Sequence, residues 1–197
     1  MKLTSVSLSN DSVTIPEGEV SILGPDLTLA DCRLTSSAKR GELVLVEMVM
    51  QGGQFVQNSV AEDFHYSGGK FERVKFFGEF SGCDFGDWDS PGSAYVKNCD
   101  FSLARLHNCR FLNCEMSGTR FAPWPTFVLL NPANAFSHVK ANDWPKKLKI
   151  VLNIYTDIDP ECSAVVADAA VLAQENGMGL NELRRLLEAI PGFSSVD

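Results

Sequence analysis

The chain has 197 residues, 45% of them hydrophobic, enough to bury a sizeable core in one or two domains. Its formal net charge of −8 is spread along the chain rather than gathered in a tail, which argues against direct nucleic-acid binding, since that draws on a basic patch to release counterions. No apolar run approaches the roughly 18 residues of a membrane span, and Met1-Lys2-Leu3-Thr4-Ser5 lacks the apolar centre of a signal peptide, so the expectation is a cytoplasmic protein with no membrane partner.

Residues 1–60 read as β without a clean repeat. Val6 and Leu8, Val13 and Ile15, and Val20 and Ile22 alternate like short strands, with Asn10-Asp11, Pro16-Glu17-Gly18 and Gly24-Pro25-Asp26 as turns between them. Leu29 and Leu34 then fall five apart, and Leu43-Val44-Leu45-Val46 looks like a more buried strand. The region is expected to be a set of degenerate coils or an N-terminal cap for the rest of the chain. A separate small β domain is the alternative.

From Gly69 to Phe121 the pattern sharpens. Phe101, Leu106, Phe111, Met116 and Phe121 are five residues apart, a period that belongs to neither a helix nor a flat strand and points to a repeat architecture. Two residues before each stands a small residue, namely Cys99, Ala104, Cys109, Cys114 and Thr119. Gly69 with Phe71, Val74 with Phe76, Gly78 with Phe80, and Cys83 with Phe85 extend the pairing upstream. Large and small side chains alternating on an inward face suit a narrow, filled interior.

Segments such as Cys99-Asp100-Phe101-Ser102, Cys109-Arg110-Phe111-Leu112-Asn113 and Cys114-Glu115-Met116-Ser117-Gly118 resemble pentapeptide repeats. That resemblance, which covers about residues 69–121, implies a mainly β fold: a right-handed quadrilateral parallel β-helix, a solenoid with four five-residue faces per coil. The β-helix is expected over residues 61–127. From Phe85 to Val96 there is one residue more than two faces need, and a one-residue bulge within Gly86–Ser93 would absorb it. Phe76 to Phe80 is one residue short and nearly compensates, which gives eleven faces, or almost three coils, between Phe71 and Phe121.

Phe121-Ala122-Pro123-Trp124-Pro125 ends the lattice, because two prolines cannot both continue a hydrogen-bonded ladder. Residues 128–197 read as a linker and three helices: one from about Trp144 to Tyr155, one from Asp159-Pro160 through Val165, Val166, Ala169, Leu172 and Ala173 to Asn176-Gly177, and one over about Leu180 to Ala189. They would either cap the open end of the coil or pair with another chain, forming a homodimer through the C-terminal helices.

No catalytic, cofactor-binding or metal-binding set stands out. Cys83, Cys99, Cys109 and Cys114 occupy the small inward column, where a thiol packs as a small hydrophobe, and no C-x-x-C pair occurs. Asp84-Phe85-Gly86 spells the magnesium-binding triplet of protein kinases without the rest of the kinase motifs, and Phe85 is a lattice centre. Asp84, Asp87 and Asp89 read as a solvated turn, with a metal or acid-base site as the sharper alternative. His65, His107 and His138 are scattered.

Outward apolar residues carry more information. Phe77, Leu103 and Leu112 hold outward slots, and Trp88 and Tyr95 flank the insertion. They are either covered by the C-terminal region or form a patch that binds another protein. The expected function is therefore a non-enzymatic protein-binding module of the intracellular immunity or target-protection type, as small acidic bacterial proteins of this resemblance class include. The gyrase-protecting branch, which mimics DNA, is the alternative. The residues just before each centre count against it: Lys70, Lys75, Arg105, Arg110 and Arg120 are basic while Glu79, Asp84, Asp100 and Glu115 are acidic, whereas a phosphate mimic needs one sign of charge. A small β-helix enzyme acting on a carbohydrate through Asp84, Asp87 and Asp89 is the third reading.

Overall fold

The computed structural model describes residues 1–197, and its centre is a parallel β-solenoid. The longest sheet stacks six strands in chain order: Ser12–Ile15, Arg33–Ser36, Gln54–Gln57, Lys75–Ser81, Asp100–His107 and Arg120–Phe121. A second sheet stacks Val6–Ser9, Leu27–Ala30, Met48–Gln51, Gly69–Glu72 and Tyr95–Lys97. The two share a rhythm, for Ser12 opposes Arg33, Arg33 opposes Gln54 and Gln54 opposes Lys75, each step being 21 residues. The strands of the first 57 residues are thus coils of the same solenoid, joined in register to those of residues 69–121. Their five-residue signal is faint because the chain leaves the coil between Ile15 and Ser21 and again between Ser36 and Leu43.

The corner residue explains the motifs. Asn98, Asn108 and Asn113, each just before an inward cysteine, have φ of 52°, 52° and 51°, and Asp31 before Cys32 has 50°. Asn and Asp tolerate this left-handed conformation better than other side chains with a Cβ, so they turn the chain at the coil corners. The next side chain then points inward. Cys32, Cys83, Cys99, Cys109, Cys114 and Cys162 are all buried and unpaired. The thiol of Cys99 reaches the carbonyl of Lys97 at 3.4 Å and that of Phe71, one coil away, at the same distance.

Large centres stack from coil to coil in two aromatic columns. Phe55, Phe76, Phe101 and Phe121 form one, with the Phe76 and Phe101 rings 4.2 Å apart and nearly parallel. Tyr66, Phe85 and Phe111 form the other, at 4.7 and 5.1 Å. Each buried ring removes enough apolar surface to contribute about 2–3 kcal/mol.

The insertion departs from the expected one-residue bulge. Phe71 opposes Val96 and Asp84 opposes Arg110, steps of 25 and 26 residues, so residues 87–93 occupy no face and leave the coil as a loop, which rejoins at buried Ala94. Between Phe71 and Phe121 there are accordingly about two and a half coils rather than almost three. The short step from Phe76 to Phe80 is instead absorbed locally. Lys75 opposes Asp100 but Phe77 opposes Leu103, which gives the strand Asp100–His107 one extra residue and a bulge at Phe101–Ser102.

The C-terminal third contains helices, as expected, together with three strands that the pattern hid. Thr126–Leu130, Cys162–Asp168 and Phe193–Ser194 are antiparallel, and Cys162–Asp168 pairs with the solenoid strand Cys109–Leu112. Val128, Ala164 and Val166 face the solenoid core, while Phe127, Leu129, Val165 and Ala167 join a second core under the helices. These strands cover apolar centres at the end of the coil. A strand buried on both faces reads as a continuous apolar run, which is why Cys162–Asp168 resembled the start of a helix. The helices are α1 (Phe136–Ala141), α2 (Lys146–Thr156), α3 (Ala169–Asn176) and α4 (Leu180–Leu187). The second expected helix begins only at Ala169, where the Asp168 side chain accepts hydrogen bonds from the amides of Ala170 and Val171. It ends at Gly177 with φ of 64°. No helix is long and apolar enough to cross a membrane.

Candidate protein interface

The five outward residues do not share one surface. Tyr95 lies half-buried on the second sheet, opposite Lys70. Trp88 is half-buried in the insertion, packed against the second core with the Arg110 guanidinium 5.4 Å from its ring. Leu112 points out of the solenoid but is only 1% exposed, because the C-terminal unit covers it. It is therefore core, and the reading of Leu112 as a contact residue is corrected. Trp88 is also not within reach of Phe77 one coil earlier, since the insertion left the coil.

Phe77 and Leu103 do come together. They oppose one another on the outer face of the long sheet, at the end of a column that runs Thr14, Thr35, Val56, Phe77, Leu103 in register. The column passes from β-branched hydroxyls to large apolar side chains. Leu103 is 70% exposed, the most of any large hydrophobic residue, and the bulge beside it accounts for that by adding a residue to its strand. Next to Leu103 is a groove of about 360 Å³, walled by Val60, Gly78 and Leu103 and rimmed by Glu79 and Arg105. Gly78 has φ of 105°, and a Cβ there would lie 2.1 Å from the carbonyl oxygen of Gln57. Only glycine fits where the strand bends to open this groove.

Charges around the column pair along the stack. Arg120 reaches Asp100 at 2.7 Å and Arg105 reaches Glu79 at 3.5 Å, so residues of mixed sign before each centre neutralise one another between coils. Such exposed pairs contribute at most about 1 kcal/mol each. Their effect is to leave the face nearly neutral.

A second concave site lies over the insertion corner. Asp84 is buried, takes Arg110 Nε on Oδ1 at 2.6 Å and Arg110 Nη2 on Oδ2 at 2.7 Å, and has His65 Nδ1 2.7 Å from Oδ2. His65, Asp84 and Arg110 stack in register on three successive coils, a relation that sequence spacings of 19 and 26 residues conceal. Asp87 and Asp89 line the same groove of about 310 Å³. Asp87 Oδ1 accepts from the amides of Asp89 and Ser90, and Asn113 Nδ2 donates to the carbonyl of Asp87, so the turn is internally bonded. No three His, Cys, Asp or Glu side chains are arranged to hold a metal ion. His107 and His138 lie apart from this groove. His107 Nδ1 accepts from the amide of Asp168 at 3.5 Å, and burial lowers its pKa from the ordinary 6.5.

No protein-family model, curated protein or solved structure matches the chain.

Proposed function

We propose that the protein is a non-enzymatic docking module of pentapeptide-repeat type, which binds another protein through the outer column ending in Phe77 and Leu103. The single observation that carries this reading is the exposure of Leu103 beside half-buried Phe77 on a nearly neutral sheet face. A rigid solenoid presents such a face at small entropic cost, and large apolar side chains beside a groove suit the anchoring of a partner. Immunity or target protection inside the cell is the role that fits a small binding protein of this kind.

Mimicry of DNA is less favoured, because Asp100 and Glu79 are paired with Arg120 and Arg105 rather than free. One observation favours an enzyme as the second reading. The groove over Asp84, Asp87 and Asp89 has an exposed imidazole at its edge, held on a buried carboxylate, as a general base acting on a carbohydrate would require. Leu103→Asp combined with Phe77→Ser separates the two. With the chain immobilised in an extract of its native host, the docking reading predicts a retained protein that the double variant loses while its circular dichroism is unchanged. Release of reducing sugar from a host polysaccharide by the wild type and not by His65→Ala, with no protein retained, would favour the groove.

A further inference from the structure

The solenoid and its proposed docking face leave one surface of the C-terminal unit unused. Helix α2 buries Leu148, Leu152 and Tyr155 against the second core. Its other side carries Ile150 and Ile154, 55% and 66% exposed and one helical turn apart. An apolar pair so open on a short helix needs a reason. Beyond Ile154 lies a cavity of about 290 Å³ with one apolar wall, Val151, Tyr155 and Val165, and one polar wall that includes Asn108, Arg110 and Glu175.

The charges at the two ends of this stripe are opposite and unpaired. Lys146 and Lys147 stand in the first turn, where there is no acidic residue, and Asp157 follows the last. All three are exposed and none makes an ion pair within the chain. Cations at a helix start and an anion at its end oppose the helix dipole, so the arrangement costs stability in a lone chain. At 100° per residue, Lys146, Lys147, Ile150, Ile154 and Asp157 fall on one side of the helix.

We propose that α2 packs antiparallel against α2 of a second copy, across a twofold axis that crosses the exposed face between Ile150 and Ile154, at the height of Leu152 along the helix. The sequence is self-complementary about that point. Lys147 lies three residues before Ile150 and Asp157 three after Ile154, so the axis that sets Ile150 against Ile154 of the second copy also sets Lys147 against Asp157 of the second copy. One operation buries both isoleucines twice and supplies Lys147 and Asp157 with counter-ions, as an isologous interface must, while Lys146 faces Ile158 of the second copy and stays at the rim. The helix is only about 16 Å long, so the contact is small and dissociation falls on the order of micromolar. The docking column lies on the long sheet, and the dimer stands or falls independently of it.

Sedimentation equilibrium of the full chain tests the pairing. The wild type dimerises, Ile150→Glu with Ile154→Glu raises the dissociation constant by roughly 100-fold, and Lys147→Asp alone raises it roughly tenfold. Adding Asp157→Lys to Lys147→Asp restores it, an outcome that general damage to the helix would not give. A wild type that stays monomeric to about 100 μM overturns the proposal, as does a dimer untouched by the two glutamates. A monomer that instead sediments with anionic phospholipid vesicles overturns it in favour of a membrane-surface helix.

Discussion

Phe111 and Leu112 are adjacent, and both are fully buried, in different cores. Phe111 fills the coil between Phe85 and Phe101, and Leu112 fills the space under the C-terminal unit. Truncation of either to alanine should lower stability by amounts of the same order, about 3–5 kcal/mol for Phe111→Ala and about 2–5 for Leu112→Ala, read by urea denaturation. A loss below about 1 kcal/mol at Leu112 would detach the C-terminal unit from the strand Cys109–Leu112. The thiols behave as core side chains too. Burial pushes Cys99 and Cys114 up to about 11 and Cys162 up to about 12, so all three should remain protonated and unreactive to a thiol reagent at pH 8 until the chain unfolds. Rapid labelling of the native protein would contradict this. His107 gives a pH dependence of defined sign. Its folded pKa lies below 6.5, so the unfolded chain takes up the proton first; the contribution is whole above 6.5 and is lost as pH falls below it. The melting temperature of the wild type should drop on acidification through that range more than that of His107→Gln.

At the scale of elements, the strand Lys75–Ser81 and its neighbour Asp100–His107 show how a missing residue becomes a feature. The step of four between Phe76 and Phe80 was legible in the sequence, but its outcome was not, because a coil can restore phase by a corner or by a bulge. Gly78 makes the bend, and Gly78→Ala should therefore destabilise the protein beyond the about 1 kcal/mol of an ordinary glycine substitution, since the new Cβ meets backbone rather than a movable side chain. A neutral Gly78→Ala would show that the bend can be relaxed. The strand Cys162–Asp168 was misread for a physical reason, as a segment buried on both faces loses the alternation that marks a strand. Its helix has a legible end in Gly177, whereas its start, expected at Asp159-Pro160, lies at Asp168 beyond the strand. The early coils were faint because their excursions after Ile15 and Ser36 break the period, although the strands themselves remain in register.

For the whole molecule, the inward columns were the readable part, since side chains that must fill a fixed interior leave a period in the sequence. Outward contacts leave none. Whether Leu103 stands free and Leu112 is covered depends on where the C-terminal unit docks, and that is decided by the strand pairing between Cys109–Leu112 and Cys162–Asp168. The same holds for His65, Asp84 and Arg110, which meet only because three coils of unequal length align them. Removing the buried carboxylate with Asp84→Ala should cost about 1–2 kcal/mol, because Arg110 loses its bidentate partner but, being 38% exposed, is partly solvated at the seam between the solenoid and the second core. The central claim, that the face carrying Phe77 and Leu103 docks a protein, is tested most directly by titrating the protein captured from the native host against single variants. Leu103→Asp should weaken binding by at least about 30-fold, and Tyr95→Ala, on another sheet, by less than about threefold. Equal losses at the two positions, or full affinity with Leu103→Asp in a folded chain, would contradict the account.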